Sequence, residues 1–277
     1  LEALLIRVEP TPSDYGSLRE TYRPAFGGLE IRNQEWGNLC TLGWNVTNAS
    51  TAEEGFLTAG HCVQSPGVLN ERFAQVLHNT LGTVRLNPPW QDGALGYGGD
   101  DSCQGREPCT HADVLWVKHS NSSNSRHTVA KTAYAGVGDG QGSISIVGTF
   151  YPGPALYTVV TGGPRANKVG RTTGWTSGYI TVTCLFFDFP PKTVPCTHRA
   201  DMRTGEGDSG SPVFYDNGNS QITPLGVLWG GPNKKDPQYN WGYDEGAMFC
   251  RSNCYILFSD FRRIAMHLGT GFYPEYY

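Results

Sequence analysis

Short strand-like runs rich in apolar residues, some alternating apolar with polar positions, recur along the chain, each three to six residues long and bounded by glycine, proline or polar clusters. They fall at 82–86, 112–117, 143–147, 156–160, 179–184, 212–215, 225–229 and 247–249. Alternation with a period of two is the signature of half-buried β-strands. Asn217-Gly218, between two of these runs, predicts a hairpin turn, because both residues tolerate positive φ. One segment follows a different period. Phe261, Ile264, Ala265 and Leu268 share one helical face, Ser259 or Asp260 can cap its start, and Gly269 can end it. Polar and glycine-rich stretches at 92–101 and 120–125 predict loops. No fixed-period repeat is present, and the length suits two halves that meet between about 120 and 145.

Composition strengthens the all-β expectation. Glycine (36) and proline (18), the two poorest helix formers, make up about a fifth of 277 residues. Charged residues account for only 17%, while 12 Phe, 7 Trp and 14 Tyr are spread throughout, a mixture too apolar for a disordered chain. The net charge of −4 lacks the basic footprint of a nucleic-acid binder, so no nucleic-acid partner is expected. No apolar run approaches the roughly 18 residues of a membrane span, so no membrane partner is expected either. Leu1 opens no signal-peptide pattern, and the chain reads as mature or trimmed.

The eight cysteines form four sequence-local couples: Cys40 with Cys62, Cys103 with Cys109, Cys184 with Cys196, and Cys250 with Cys254. Neighbour pairing is the economical choice among the 105 pairings that eight cysteines allow. Zinc would need further Cys or His at matching spacing, and only 250–254 has a suitable form, so no metal and no cofactor are expected. The acidic loop with Asp92, Asp100 and Asp101 is a weaker calcium candidate without a defined ligand pattern. Bridges belong to oxidising compartments, which makes a secreted, extracellular protein the expectation. Sequons at Asn45, Asn48 and Asn121 agree with surface loops in a eukaryotic host.

Three segments carry candidate chemistry. An apolar strand ends in His61 beside Cys62, Asp113 begins another strand, and Ser209 lies in Gly205-Glu-Gly-Asp-Ser-Gly-Ser just ahead of a third. Singly, each has a bland reading: His61 as a structural histidine, Asp113 as a surface residue, Gly-Asp-Ser-Gly as a turn. Together they meet the needs of acyl transfer. A serine hydroxyl is a weak nucleophile and needs a neutral imidazole to take its proton. A carboxylate must hold that imidazole's tautomer, and backbone N–H groups must face the developing oxyanion. Gly207 and Ser209 are the natural N–H donors. His111, two residues from Asp113, can share its side of the sheet, although a structural role suits it better.

Thr58-Ala-Gly-His61-Cys62 and Gly207-Asp-Ser209-Gly resemble the histidine and serine motifs of chymotrypsin-family serine endopeptidases. Lys168-Val-Gly-Arg-Thr-Thr-Gly174 and Trp175-Thr-Ser-Gly178 resemble the secreted microbial, streptogrisin-like branch. The resemblance runs from about Cys40 to the C-terminal helix. It implies two six-stranded antiparallel Greek-key β-barrels with the active site between them, plus the helix. Residues 1–135 would hold an N-terminal extension and the first barrel with His61 and Asp113, and 136–277 the second barrel with Ser209 and the helix. The triad would be His61, Asp113 and Ser209, the oxyanion hole Gly207 and Ser209, and Cys40–Cys62 the bridge beside the catalytic histidine. The substrates would be polypeptides, and a monomer is expected. The alternative is a non-catalytic binding protein on the same scaffold.

The sequence departs from the animal members in several ways. No inserted Ile or Val N-terminus is available for Asp208, so an internal cation, Lys168 or Arg171, is expected to pair with it. Trp229 stands near where relatives carry a serine that supports the triad aspartate. By the resemblance, the specificity pocket involves Arg203, Thr204 and Glu206 on one side and Leu228, Trp229, Gly230 and Gly231 on the other. Leu228 is expected to make that wall apolar. An apolar P1 residue is therefore expected, with an acidic P1 held by Arg203 as the alternative.

Overall fold

The computed structural model describes residues 17–75, 79–90, 108–132, 144–147, 159–189, 192–218, 221–244, 247–269 and 272–273. The expected domain boundary at 135–136, the acidic loop at 92–101, Cys103 and most of the run at 156–160 lie outside them. Among the described residues the chain is built from strands, with one α-helix near the C-terminus.

The first half contributes β1 (Ala25–Gly27), β2 (Glu30–Asn33), β3 (Leu39–Thr41), β4 (Asn45–Asn48) and β5 (Glu53–Ala59). β6 (Arg72–Gln75), β7 (Asn79–Leu86), β8 (Val114–His119), β9 (Ser125–Thr132) and β10 (Ile144–Val147) follow. The second half holds β11 (Ala166–Gly170), β12 (Gly174–Phe189), β13 (Lys192–Asp201), β14 (Pro212–Gly218) and β15 (Gln221–Gly230). It continues with β16 (Asn240–Asp244), β17 (Ala247–Ser252), β18 (Ile256–Asp260), α1 (Phe261–Leu268) and β19 (Phe272–Tyr273).

The second half closes into a six-stranded barrel in the order β11-β12-β13-β18-β15-β14. The first half is a curled sheet in the order β19-β4-β5-β8-β7-β6-β2-β3, with β1-β9-β10 as a separate small sheet. The architecture is thus the expected all-β pair of units, and the first has an addition: β19 crosses back after the helix and pairs antiparallel with β4. The helix begins and ends where the sequence predicts. Asp260 accepts a hydrogen bond from the Arg263 N–H at 2.8 Å, and Gly269 leaves the helix at φ +89°. β14 and β15 form the expected hairpin, but Asn217 and Gly218 close β14 instead of making its turn: Gly218, at φ +75°, pairs with Gln221.

One hydrophobic core spans both halves. Trp44 is fully buried at its centre; the ring meets Phe214 edge-on at 6.2 Å and Phe261 at 6.0 Å. Its indole N–H donates to the Gly226 carbonyl across the junction at 2.7 Å, satisfying the one polar atom that its burial would otherwise strand. A second cluster, with Val213, Leu225, Leu228, Ile256 and Phe258, fills the barrel of the second half.

Cys40–Cys62, Cys184–Cys196 and Cys250–Cys254 are bridged as expected. Cys109 is also disulfide-bonded, and its expected partner Cys103 lies outside the described residues. One sequon does not lie on the surface. The Asn45 side-chain amide is buried, donating to the Ala25 carbonyl at 2.8 Å and meeting His119 Nε2 at 2.9 Å through Oδ1. Asn48 and Asn121 are the sequons left at accessible turns.

Candidate active site

His61 sits in a single 3-10 turn, Gly60–Cys62, where β5 ends. The Cys40–Cys62 bridge ties that turn to β3. Asp113 lies one residue ahead of β8 and is buried, and its carbonyl accepts from the Gly60 N–H at 2.9 Å. That pairing sets the two strand ends side by side. His61 Nδ1 is 2.7 Å from Asp113 Oδ2, and His61 Nε2 is 2.8 Å from Ser209 Oγ. An ionised carboxylate only accepts, so Nδ1–H donates to Asp113 and Nε2 is left to accept from the serine hydroxyl. Residues 52 and 148 positions apart in sequence are thereby joined in one hydrogen-bonded line.

The loop before β14 shows how N–H groups come to face the cleft. The Glu206 carbonyl accepts from Thr172 Oγ1, and the Asp208 carbonyl accepts from the Ser211 N–H at 2.9 Å and from Ser211 Oγ at 2.5 Å. Both carbonyls are turned into the protein. A trans peptide points its N–H opposite its C=O, so the N–H groups of Gly207 and Ser209 turn the other way, toward the cleft. Thr41 of the first half fixes the remaining carbonyls: its Oγ1 donates to Gly207 O at 2.7 Å and its N–H to Ser209 O at 2.8 Å. The loop needs φ of +88° at Gly207 and +94° at Gly210, a region that side chains rarely adopt.

Asp208 finds its cation. Lys168 Nζ lies 2.8 Å from Asp208 Oδ2, and both side chains are fully buried. Asp208 also accepts from the N–H groups of Thr172 (2.9 Å), Thr173 (3.2 Å) and Gly205 (2.9 Å) and from Thr173 Oγ1 (2.5 Å). Burial pulls the Lys168 pKa below its ordinary value, with the Asp208 charge opposing that pull. Arg171, the other candidate, pairs instead with Glu30 at 2.7 Å, beneath Gly207.

The expected pocket residues divide. Residues 204–206 run as an extra strand along β17: Cys250 N–H donates to Thr204 O and Glu206 N–H to Met248 O, each at 2.8 Å. Gly231 faces them, so near that an added Cβ would fall 2.9 Å from Thr204 Cγ2. Glu206 and Lys234 form an ion pair at the surface. Leu228, expected to make the wall apolar, instead points into the barrel core and is buried there. The period of two explains the difference, for if Leu228 faces inward then Trp229 must face the junction between the halves. Arg203 is exposed and lines a cleft with Arg199, Asp201, Arg251 and Asn253. Ser209 lines another, of about 390 Å³, with Leu39, Cys40, His61, Arg171 and Gly207.

His111 is buried beside the site. Among the described residues no cluster of three or more His, Cys, Asp or Glu could hold a metal ion. Sequence reasoning misses Thr41, Thr172, Thr173 and Ser211, the hydroxyls that orient the loop. The Thr-Thr pair after Arg171 is the one available signal, and in the sequence it carries meaning only as part of a resemblance.

The chain has the two-unit β fold of bacterial chymotrypsin-like serine proteases. Protease A of Thermobifida fusca matches at a TM-score of 0.55 and 21% identity, covering 90% of this chain and 98% of that one. The Cellulomonas bogoriensis chymotrypsin matches at 0.54 and 20%, covering 90% and 98%. A glutamic-acid-specific serine protease, described as using a histidine triad in substrate binding, matches at 0.57 and 18%, covering 90% and 100%. No protein-family model matches the sequence.

Proposed function

We propose that the chain is a secreted serine endopeptidase. The observation that carries this reading is the line Asp113–His61–Ser209, closed at 2.7 and 2.8 Å, beside a loop that turns two N–H groups toward the cleft. Ser209 Oγ attacks the scissile carbonyl as its proton passes to His61 Nε2. The Asp113 carboxylate holds the Nδ1–H tautomer and stabilises the imidazolium. The N–H groups of Gly207 and Ser209 receive the oxyanion, and His61 then returns the proton to the leaving amine. Water then attacks the acyl carbon as His61 takes its proton, and the bond to Ser209 Oγ breaks as His61 returns that proton, releasing the carboxylic acid and restoring the serine. The disulfides support an extracellular setting, since such bridges persist in oxidising compartments.

On this reading the P1 slot lies between the 204–206 strand and Gly230-Gly231, where the one charged side chain, Glu206, is paired with Lys234 at the surface. The close approach of Thr204 and Gly231 limits its depth, which favours an apolar P1 side chain of medium size. Arg203 points to a different cleft, which weakens the case for an acidic P1. The test pairs a serine-directed phosphonate probe with a casein assay on wild type and Ser209→Ala. Labelling and hydrolysis are expected in wild type alone. A wild type that binds peptides yet takes no label would mark a binding protein on this scaffold instead.

A further inference from the structure

Asn33 ends β2 and is fully buried, and its side-chain amide uses all four of its hydrogen-bonding positions on three separate segments. Oδ1 accepts from the N–H groups of Glu35 and Trp36, each at 3.0 Å. Nδ2 donates to the Cys62 carbonyl at 3.3 Å and to Glu71 Oε2. The backbone of Asn33 closes the same turn, accepting from the Gly37 N–H at 2.8 Å and donating to Asn38 O at 3.0 Å. One residue thus joins the β2–β3 turn, the 3-10 turn that carries His61, and the start of β6.

Glu71 decides which way the amide faces. Its carboxylate is buried just ahead of β6, and among the described residues Asn33 is its one side-chain partner. Arg72, the nearest cation in sequence, turns away and pairs with Glu35 at 2.9 Å. A carboxylate only accepts, so it selects the Nδ2 end of the amide and leaves Oδ1 for the turn.

The consequence falls on His61. Its turn is held at the start by the Gly60 N–H on the Asp113 carbonyl at 2.9 Å, and at the end by Asn33 on the Cys62 carbonyl. The Cys40–Cys62 bridge ties down the Cys62 side chain, whereas Asn33 fixes the backbone. On the other side of Asn33, Gly37, Asn38, Leu39 and Cys40 wall the cleft that Ser209 lines. We propose that Asn33, oriented by Glu71, is a positioning residue that locks the His61 turn and this wall of the cleft into one rigid piece. Its effect on turnover passes through His61. The kinetic side of the proposal rests on the peptidase reading, and the alignment of His61 does not.

The test reverses the polarity of the pair. Asn33→Asp combined with Glu71→Gln keeps an oxygen for the turn, a hydrogen bond between residues 33 and 71, and the net charge. It removes only the donor to the Cys62 carbonyl. Glu71→Gln alone keeps both donors of Asn33 and is the reference, while Asn33→Asp alone sets two buried carboxyl groups against each other. Tm, kcat and KM are measured on each, with peptide Kd and the low-field proton resonance of His61 Nδ1 read in a Ser209→Ala background. Asn33→Asp should lose stability, and the exchange should regain a Tm within about 3 °C of the reference. Its kcat should still stay at least about 10-fold below the reference, the scale of a small misplacement of the base, with Kd within about 3-fold. The Nδ1 resonance should broaden or move. Recovery of kcat and of the resonance together with Tm would make Asn33 a structural residue and overturn the proposal. An equal loss of kcat in Glu71→Gln would overturn it too. Should the exchange not fold, Asn33→Ser with Glu71→Leu, which keeps a turn-capping oxygen and removes the buried carboxylate, is read in the same way. If the wild type hydrolyses nothing, the peptidase reading fails, while the resonance and Kd still decide this one.

Discussion

Replacing Lys168 by methionine removes the cation under the nucleophile loop while filling nearly the same volume. The pair is fully buried at 2.8 Å, and breaking such a pair by removing one partner typically costs about 3–5 kcal/mol. Lys168→Met should lie near the low end, about 3 kcal/mol, because Asp208 keeps three backbone N–H donors and the Thr173 hydroxyl. Asp208→Asn should lie near the high end, about 5 kcal/mol. It leaves the ammonium without a charged partner, and the single amide oxygen cannot serve both the 172–173 N–H groups, which now donate to Oδ1, and Lys168, Thr173 Oγ1 and Gly205 N–H, which now meet Oδ2. At roughly 2–4 °C per kcal/mol for a chain of this size, the expected losses in Tm are about 6–12 °C and 10–20 °C.

The pH dependence separates the two variants. A buried lysine whose folded pKa is lowered binds fewer protons folded than unfolded, so its stability contribution rises with pH and is lost as pH falls. Asp208→Asn removes the charge that opposes the burial, so its stability should climb more steeply than that of wild type from neutral toward pH 10. Lys168→Met should lose the dependence. Urea unfolding followed by tryptophan fluorescence, in a Ser209→Ala background that prevents self-digestion, reads both effects. The reasoning is refuted if Lys168→Met costs less than about 1 kcal/mol and leaves turnover in the otherwise wild-type enzyme unchanged.

Asp113→Asn should keep the fold yet lower kcat by about 10⁴-fold, since the amide no longer enforces the Nδ1–H tautomer; steady-state kinetics beside circular dichroism would show this. Gly210→Ala should destabilise by several kcal/mol and abolish activity, because φ is +94° there and the new Cβ would collide with both Thr41 O and Thr58 Oγ1; thermal unfolding and probe labelling check it. Burial pushes the Tyr255 hydroxyl up to about 12, with Tyr239 adding to the shift. A raised pKa contributes stability below the unfolded value near 10 that is lost as pH rises through about 12. Absorbance titration near 295 nm should therefore show one late tyrosine that Tyr255→Phe removes. Ser209→Ala and His61→Ala should each remove nearly all hydrolysis, and either retaining more than a few per cent would sink the triad.

What the sequence makes legible is whatever one segment carries by itself. The helix and its cap, the β14–β15 hairpin and the bridges 40–62, 184–196 and 250–254 each depend on residues close in sequence, although the turn of that hairpin falls beyond Asn217-Gly218. That His61, Asp113 and Ser209 come together is also legible, because the three fall at strand edges in motifs whose conjunction points to acyl transfer. The Lys168–Asp208 pair follows from a need, because a buried aspartate must find a cation. Thr41 is not legible, since it acts on Gly207 from 166 positions away and nothing about an isolated threonine announces that. Leu228 is misplaced when a pocket wall is assigned by position along a motif, because side-chain direction follows the alternation of the strand. Asn45 matches a glycosylation pattern that carries no information about burial.

The return of β19 to β4 gives the molecule an order of assembly. The strand pairing that extends the His61-bearing sheet requires residues 272–273, which a ribosome releases only after the whole of the second half has been made. Trp44 likewise waits for Phe214, Gly226 and Phe261 before its ring and its N–H are satisfied. A nascent chain that has emerged only as far as Asp113 holds His61 and Asp113 but neither Ser209 nor the core that aligns them. The same continuity ties the halves into one cooperative unit, so a cut near the C-terminus should silence the distant histidine as surely as a cut beside it.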